Sequence, residues 1–307
     1  MAGNWADYYL ADPSDLPLVD SIVERTRAEL IRLIRDSLDY RPDIHVVGEP
    51  WEFERLLGGA FPDWGAAAAN PVRQLIVIKS PDRFNVNKSL PELLAHEYAH
   101  LALHDRTGFN SPPRWFDEGL AMLVSTEWGW SENLTMSKAA VFGNFIPLEE
   151  IRLLNRFKAP KASVAYAQSY MTVKYLFDEY GVDAVNIFLD RIREAPAVSG
   201  HRLPGQPTVL DSALIAATGS DLAGFEQEVR VYLTQRFNLA SLLVDTMFLW
   251  VLLAVVIIIG GILAIKRRRD YYRKWEEEEQ LHSTDFDYGD PDFPERTDDD
   301  DDEPWRR

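Results

Sequence analysis

The chain of 307 residues contains no cysteine. That absence excludes a disulfide framework, a thiolate nucleophile and any cysteine-held zinc, so a metal here must be held by His, Asp or Glu. Positive charge is also scarce, with 32 Lys plus Arg against 49 Asp plus Glu and a formal net charge of −17. Binding to a phosphate backbone draws its affinity from clustered Lys and Arg, and this balance argues against nucleic acid as a partner. The deficit is uneven, since residues 266–307 hold 16 acidic against 9 basic side chains, which is −7 of the total. The first twenty residues, MAGNWADYYLADPSDLPLVD, have neither a basic segment nor an apolar core, so no signal peptide is read there. Apolar material is not lacking: 46% hydrophobic residues can furnish one large domain or two ordinary ones.

A long uncharged apolar run, TMFLWVLLAVVIIIGGILAI, covers Thr246 to Ile265 and is followed at once by KRRR. At about 1.5 Å per residue it matches the roughly 30 Å hydrocarbon core of a bilayer. A transmembrane helix is expected over residues 242–265. The basic cluster beside it favours the cytoplasmic side, which makes residues 1–240 an extracytoplasmic domain and residues 266–307 a cytoplasmic tail. With no signal peptide at residue 1, this orientation implies a true start further upstream; translocation by another route and the reverse orientation are the alternatives. The tail is rich in charge and poor in aliphatic residues, so disorder is expected there, with the acidic run Asp298–Glu303 a solvated segment.

Ahead of the span the patterning is mostly helical. SIVERTRAELIRLIRDSL places Ile22, Leu30, Leu33, Ile34 and Leu38 near one stripe. Two short β-branched runs, Ile44–Gly48 and Arg73–Ser80, read as strands. Helices are expected near residues 89–105, 114–127, 164–179, 183–194 and 221–236, with a loop at GHRLPGQP, residues 200–207. The class is α+β, mainly helical with a small sheet.

Within the first of these helices lies HEYAH. His96 and His100 are four residues apart and point the same way, so both imidazoles can reach one zinc ion at about 2.0 to 2.1 Å. Glu97, next to the first His, is the expected general base. Ser89 with Glu92 three residues on fits a capping box, with Pro91 tolerable in the first turn. A catalytic zinc needs a third protein ligand. His104 lies eight residues from His96, a rise of about 12 Å, too far for one tetrahedral ion. The extended metzincin pattern is absent, because Leu103 and Arg106 stand where Gly and His would be required. Glu118, in PPRWFDEGLAMLV, can sit on a helix beside the first and is the better third ligand; its neighbour Asp117 points elsewhere on that helix.

HEYAH, WFDEGLA and AYAQSYMTVKYLFDEYG together resemble the gluzincin metallopeptidases, the peptidase MA-like branch related to thermolysin and to a family of zinc aminopeptidases. The resemblance runs in order of elements from about Ile44 to Phe237. It implies a zincin-like fold, His96, His100 and Glu118 as zinc ligands, and Glu97 as base. It further implies a tyrosine that steadies the oxyanion, matched by Tyr166, although YAQS stands in place of Y-E-K-G and Tyr170 is a rival one turn on. There is no G-x-M-E-N stretch to capture a free amino terminus; NPVRQLIVIKS is expected to offer an edge strand to a peptide instead, in the manner of an endopeptidase. Trp128 and Trp130 read as packing residues.

Two functions follow. One is a membrane-anchored zinc peptidase acting on peptide or protein substrates. The other is a non-catalytic binding or scaffold module on the same fold; Glu97 favours the first, because a site that only holds metal has no use for a carboxylate beside the first His.

Overall fold

Alternation of buried and open positions in DYYL makes the first strand, β1 (Asp7–Leu10), with Tyr8 fully buried. In the computed structural model, which describes residues 1–36, 38–58, 65–108, 110–195 and 208–281, β1 is followed by α1 (Leu16–Ile34), β2 (Asp43–Val47), α2 (Pro50–Leu57), β3 (Ala67–Asn70) and β4 (Leu75–Lys79). α1 buries the expected stripe of Ile22, Leu30, Leu33 and Ile34, but ends four residues before Leu38 because Arg35 turns left-handed at φ 54°. The strands form one sheet in the order β1-β2-β4-β3. β1, β2 and β4 run parallel, with Ile44 opposite Ile76, and β3 runs antiparallel to β4, with Ala68 opposite Val77.

This order corrects one expectation. The LIVIK strand was to be an open edge, yet β4 lies between β2 and β3, and the edge belongs to the alanine strand β3. The reason is burial: all of Leu75 to Ile78 are buried, which suits a strand covered on both faces. β1 and β3 escape sequence reading because each has four residues, and AAAN carries no β-branched side chain.

The remaining helices are α3 (Leu90–Arg106), α4 (Arg114–Ser125), α5 (Trp130–Phe142), α6 (Ala159–Tyr175), α7 (Gly181–Arg193), α8 (Val209–Thr218) and α9 (Leu222–Arg236). α3 begins with the expected capping box: the Ser89 N–H donates to Glu92 Oε2 at 2.7 Å, and the Glu92 N–H donates to Ser89 Oγ at 3.4 Å. α6 starts five residues earlier than its pattern implies, with Pro160 in its first turn, and closes in a π-helical turn, Leu176–Tyr180. α2, α5 and α8 were not anticipated. The expected loop at residues 200–207 lies outside the described residues.

α4 is the central helix. Ten of its twelve residues are buried, including Trp115, Phe116, Asp117 and Glu118. Its neighbours are α3 on one side and α6 on the other, and the contact with α6 is made at Gly119. A Cβ there would stand 2.3 Å from the Ser169 carbonyl oxygen and 2.6 Å from Val173 Cγ2, so no side chain larger than hydrogen fits. Trp115 and Phe116 extend the core toward Phe188 and Phe225, their rings 5.1 to 6.1 Å apart.

The chain divides into two compact units, Met1–Thr246 and Met247–Arg307. The second consists of the greater part of α10 (Leu239–Leu281) and the residues beyond it. From Leu249 to Glu278 α10 is long and apolar enough to cross a membrane, with a mean hydropathy of 2.7 in its most apolar window. The helix does not stop at the end of the apolar run: residues 266–281 continue it. Spaced pairs explain this: Arg273 Nε lies 3.6 Å from Glu277 Oε1, and the Tyr271 and Trp275 rings lie 5.9 Å apart. Residues 282–307 lie outside the described residues.

Overpacking at the α4–α6 contact yields a stability prediction. Gly119→Ala lowers unfolding free energy by about 1–3 kcal/mol or more, against a gain of up to ~1 kcal/mol that the same change gives in an unobstructed helix. Thermal unfolding of the two proteins side by side measures it; an unchanged or raised Tm contradicts the contact.

Candidate metal centre

The capped start of α3 fixes the phase of the helix, and that phase turns His96 and His100 to one side, toward α4, with ring centroids 4.9 Å apart. α4 answers with Glu118, whose Oε2 lies 3.5 Å from His96 Nε2 and 4.0 Å from His100 Nε2. All three donor atoms lie within 4.8 Å of one another. Bonds of about 2.0–2.1 Å in a tetrahedral arrangement place donor atoms ~3.3 Å apart, so this set fits a zinc-sized ion after small side-chain adjustment.

The other ring nitrogens are occupied, and that settles which nitrogen faces the centre. His96 Nδ1 bonds Glu127 Oε1 at 2.8 Å, and His100 Nδ1 bonds Asp117 Oδ1 at 2.6 Å. Each carboxylate accepts the Nδ1 proton, so Nε2 is the atom turned to the centre, where it can bind a metal once its own proton is displaced. Asp117 thus does more than point elsewhere on its helix: it orients the second His, and it also lies 3.3 Å from Arg114 Nη1 and 3.8 Å from His104 Nε2. His104 is held in this outer ring, away from the donor set.

Glu127 was missed by sequence reading. It lies just past the end of α4, where Thr126 adopts a left-handed conformation at φ 58°, rare for a β-branched residue. That turn aims Glu127 back toward α3, where it also accepts from Ser125 Oγ at 2.8 Å and pairs with Lys88. No spacing rule connects an S-T-E run after a helix to a histidine thirty-one residues earlier; a polar residue after an αL cap is the sole local signal.

Electrostatics follow from burial. Desolvation disfavours charge on Glu127, but the hydrogen bond from His96 and the nearby positive charges outweigh it and hold its carboxyl down at about 2. Asp117 behaves alike, with burial overcome by His100, and lies well below the usual carboxylate range. On His96 the same contest runs the other way: burial lowers it, while Glu118 and Glu127 raise it to about 10. Glu97 is pushed up, chiefly by burial and despite the two histidines, the direction that suits a proton carrier. Burial, then Glu118, pushes the Tyr166 phenol up, so it stays a hydrogen-bond donor.

These residues line one cleft of about 1030 Å³. Its walls include Glu97, Tyr166 and Trp128, and the alanines of β3 form one side. Tyr166 sits in the second turn of α6 rather than at its start. The rival Tyr170 instead stacks on Trp128, with centroids 4.5 Å apart. Trp128 therefore packs, as expected, and also borders the cleft, whereas Trp130 is 55% exposed.

The depressed Glu127 carboxyl gives a pH prediction. A folded-state value of about 2 against an ordinary 4.5 means that the group stabilises the fold above pH 4.5 and loses that contribution as pH falls toward 2. In metal-free protein, Glu127→Gln should therefore flatten the loss of stability across this window, read by urea unfolding at a series of pH values. A parallel slope in the two proteins contradicts the pairing.

A family model for the Peptidase MA superfamily matches residues 61–235, a stretch that contains α3, α4, α6 and every residue of the centre. No curated protein matches the chain. Since the family match spans more than half of its length and encloses the cleft described above, the chain belongs to the Peptidase MA superfamily.

Proposed function

We propose that the chain is a membrane-anchored zinc peptidase of the gluzincin kind, with His96, His100 and Glu118 as metal ligands and Glu97 as general base. One observation carries this reading: two Nε2 atoms, each with its Nδ1 tied to a carboxylate, face a third donor on the next helix at 3.5 and 4.0 Å. Zinc bound there would supply Lewis acidity toward a scissile carbonyl and toward a water. Glu97 takes the proton of the attacking water and returns it to the leaving amine. Tyr166 donates its phenol hydrogen bond to the oxygen on which negative charge develops. The outer edge of β3, the last strand of the sheet among the described residues, aligns an extended peptide as an added strand, the part assigned from sequence to the LIVIK strand. Substrates are peptides or proteins, cut internally.

In this reading residues 1–240 are the peptidase domain, residues 242–265 the membrane span and residues 266–307 the tail. The apolar part of α10 and the KRRR cluster after it support one crossing with the tail in the cytoplasm and the peptidase domain outside.

The test of the chemistry is Glu97→Gln in the full chain. Zinc content stays at the wild-type level while hydrolysis of mixed peptides falls by about 10²–10⁴-fold, the usual contribution of a general base. Wild-type protein that holds zinc yet cleaves nothing in that mixture points to the binding or scaffold module. The topology is checked separately by adding a protease outside intact cells. The tail should survive while the domain before the span is digested; a digested tail reverses the orientation.

A further inference from the structure

Arg114 is out of place by the usual rules for helices. It is the first residue of α4, directly after Pro112 and Pro113, and a cation at the positive end of a helix dipole is disfavoured. Its contacts give the reason. Nη2 lies 2.5 Å from Glu118 Oε1, and Nη1 donates to Asp117 Oδ2 at 3.3 Å. The second oxygen of each carboxylate is turned toward the histidines: Glu118 Oε2 to the two Nε2 atoms, Asp117 Oδ1 to His100 Nδ1. One planar guanidinium thus holds the rear oxygens of two acids whose front oxygens build the centre.

We infer that Arg114 is a positioning residue that restricts Glu118 to a single metal-facing oxygen and fixes the Asp117 carboxylate that orients His100. The inference rests on the zinc reading given above. A carboxylate offered with both oxygens free can bind an ion through both and fill the position that a hydrolytic site keeps open. With Oε1 committed to the guanidinium, Glu118 has Oε2 alone to give. The side chains of Asp117 and Glu118 are 6% and 3% exposed, so water cannot substitute for the fork. Lysine is a poor replacement, since a compact ammonium does not span two carboxylates as a planar fork does.

The experiment uses the full chain in detergent, with zinc affinity read by competition against a chromophoric chelator and coordination read from the visible absorption of the cobalt(II)-loaded protein. Arg114→Met and Arg114→Lys are each expected to bind zinc about 10–100-fold more weakly, the usual effect of removing a group that orients a metal ligand. Their cobalt bands are expected to weaken relative to wild type, as a second Glu118 oxygen raises the coordination number. A merely structural arginine would lower the Tm of the metal-free protein and leave the cobalt spectrum alone. If Arg114→Met does not fold, Arg114→Lys, which keeps the charge, decides. A variant that matches wild type in both zinc affinity and cobalt spectrum overturns this inference and leaves the zinc reading standing; wild-type protein that takes up neither metal overturns both.

Discussion

Charge held out of water has to be balanced, and the middle of this molecule is organised around that requirement. Asp117, Glu118 and Glu127 are buried within a few ångströms of two histidines, in surroundings where an unpaired carboxylate would cost several kcal/mol. None stands alone: Arg114 holds Asp117 and Glu118, while Lys88 and Ser125 hold Glu127. The histidines complete the network, since their Nδ1 atoms are the donors that the inner carboxylate oxygens accept. The packing supports this arrangement. α4 carries two of the three acids through the centre of the fold, and it can do so because Gly119 lets it lie directly against α6.

Much of this was legible in the sequence, and the legible parts share a physical character. Spacing on one helix is a local property, so the HEYAH face and the Ser89–Glu92 cap could be read with correct direction and nearly correct bounds. Glu118 was legible because a carboxylate between a Pro-Pro stop and an apolar run has few places to point. What lay beyond reach depends on how distant segments meet. Glu127 acts through a left-handed turn, Arg114 through the shape of two carboxylates, and neither leaves a repeating pattern. The sheet order is a similar case: an all-apolar strand signals burial, and it was the poor β-former AAAN that took the exposed edge.

In the carboxyl-terminal segment composition and connectivity pull in opposite directions. RRRDYYRKWEEEEQ has too little apolar content to fold alone, but it continues a helix already nucleated by the apolar run, and extension costs far less than initiation. Its Arg, Lys, Glu and Gln are also good helix formers, and pairs such as Arg273–Glu277 sit one turn apart. The charge density that argued for disorder is here arranged with opposite signs at helical spacing.

At Thr126 two demands on a short stretch of chain compete. A β-branched side chain at φ 58° costs roughly 1–2 kcal/mol relative to ordinary helical or extended backbone, and glycine or asparagine would relieve much of it. Stability alone would favour such a replacement. The stiffness that makes threonine expensive at this angle also narrows the directions in which the following carboxylate can swing. The molecule gives up ruggedness at that hinge in return for aim, so thermostability and the alignment of His96 are in opposition at residue 126, and improving one draws on the other.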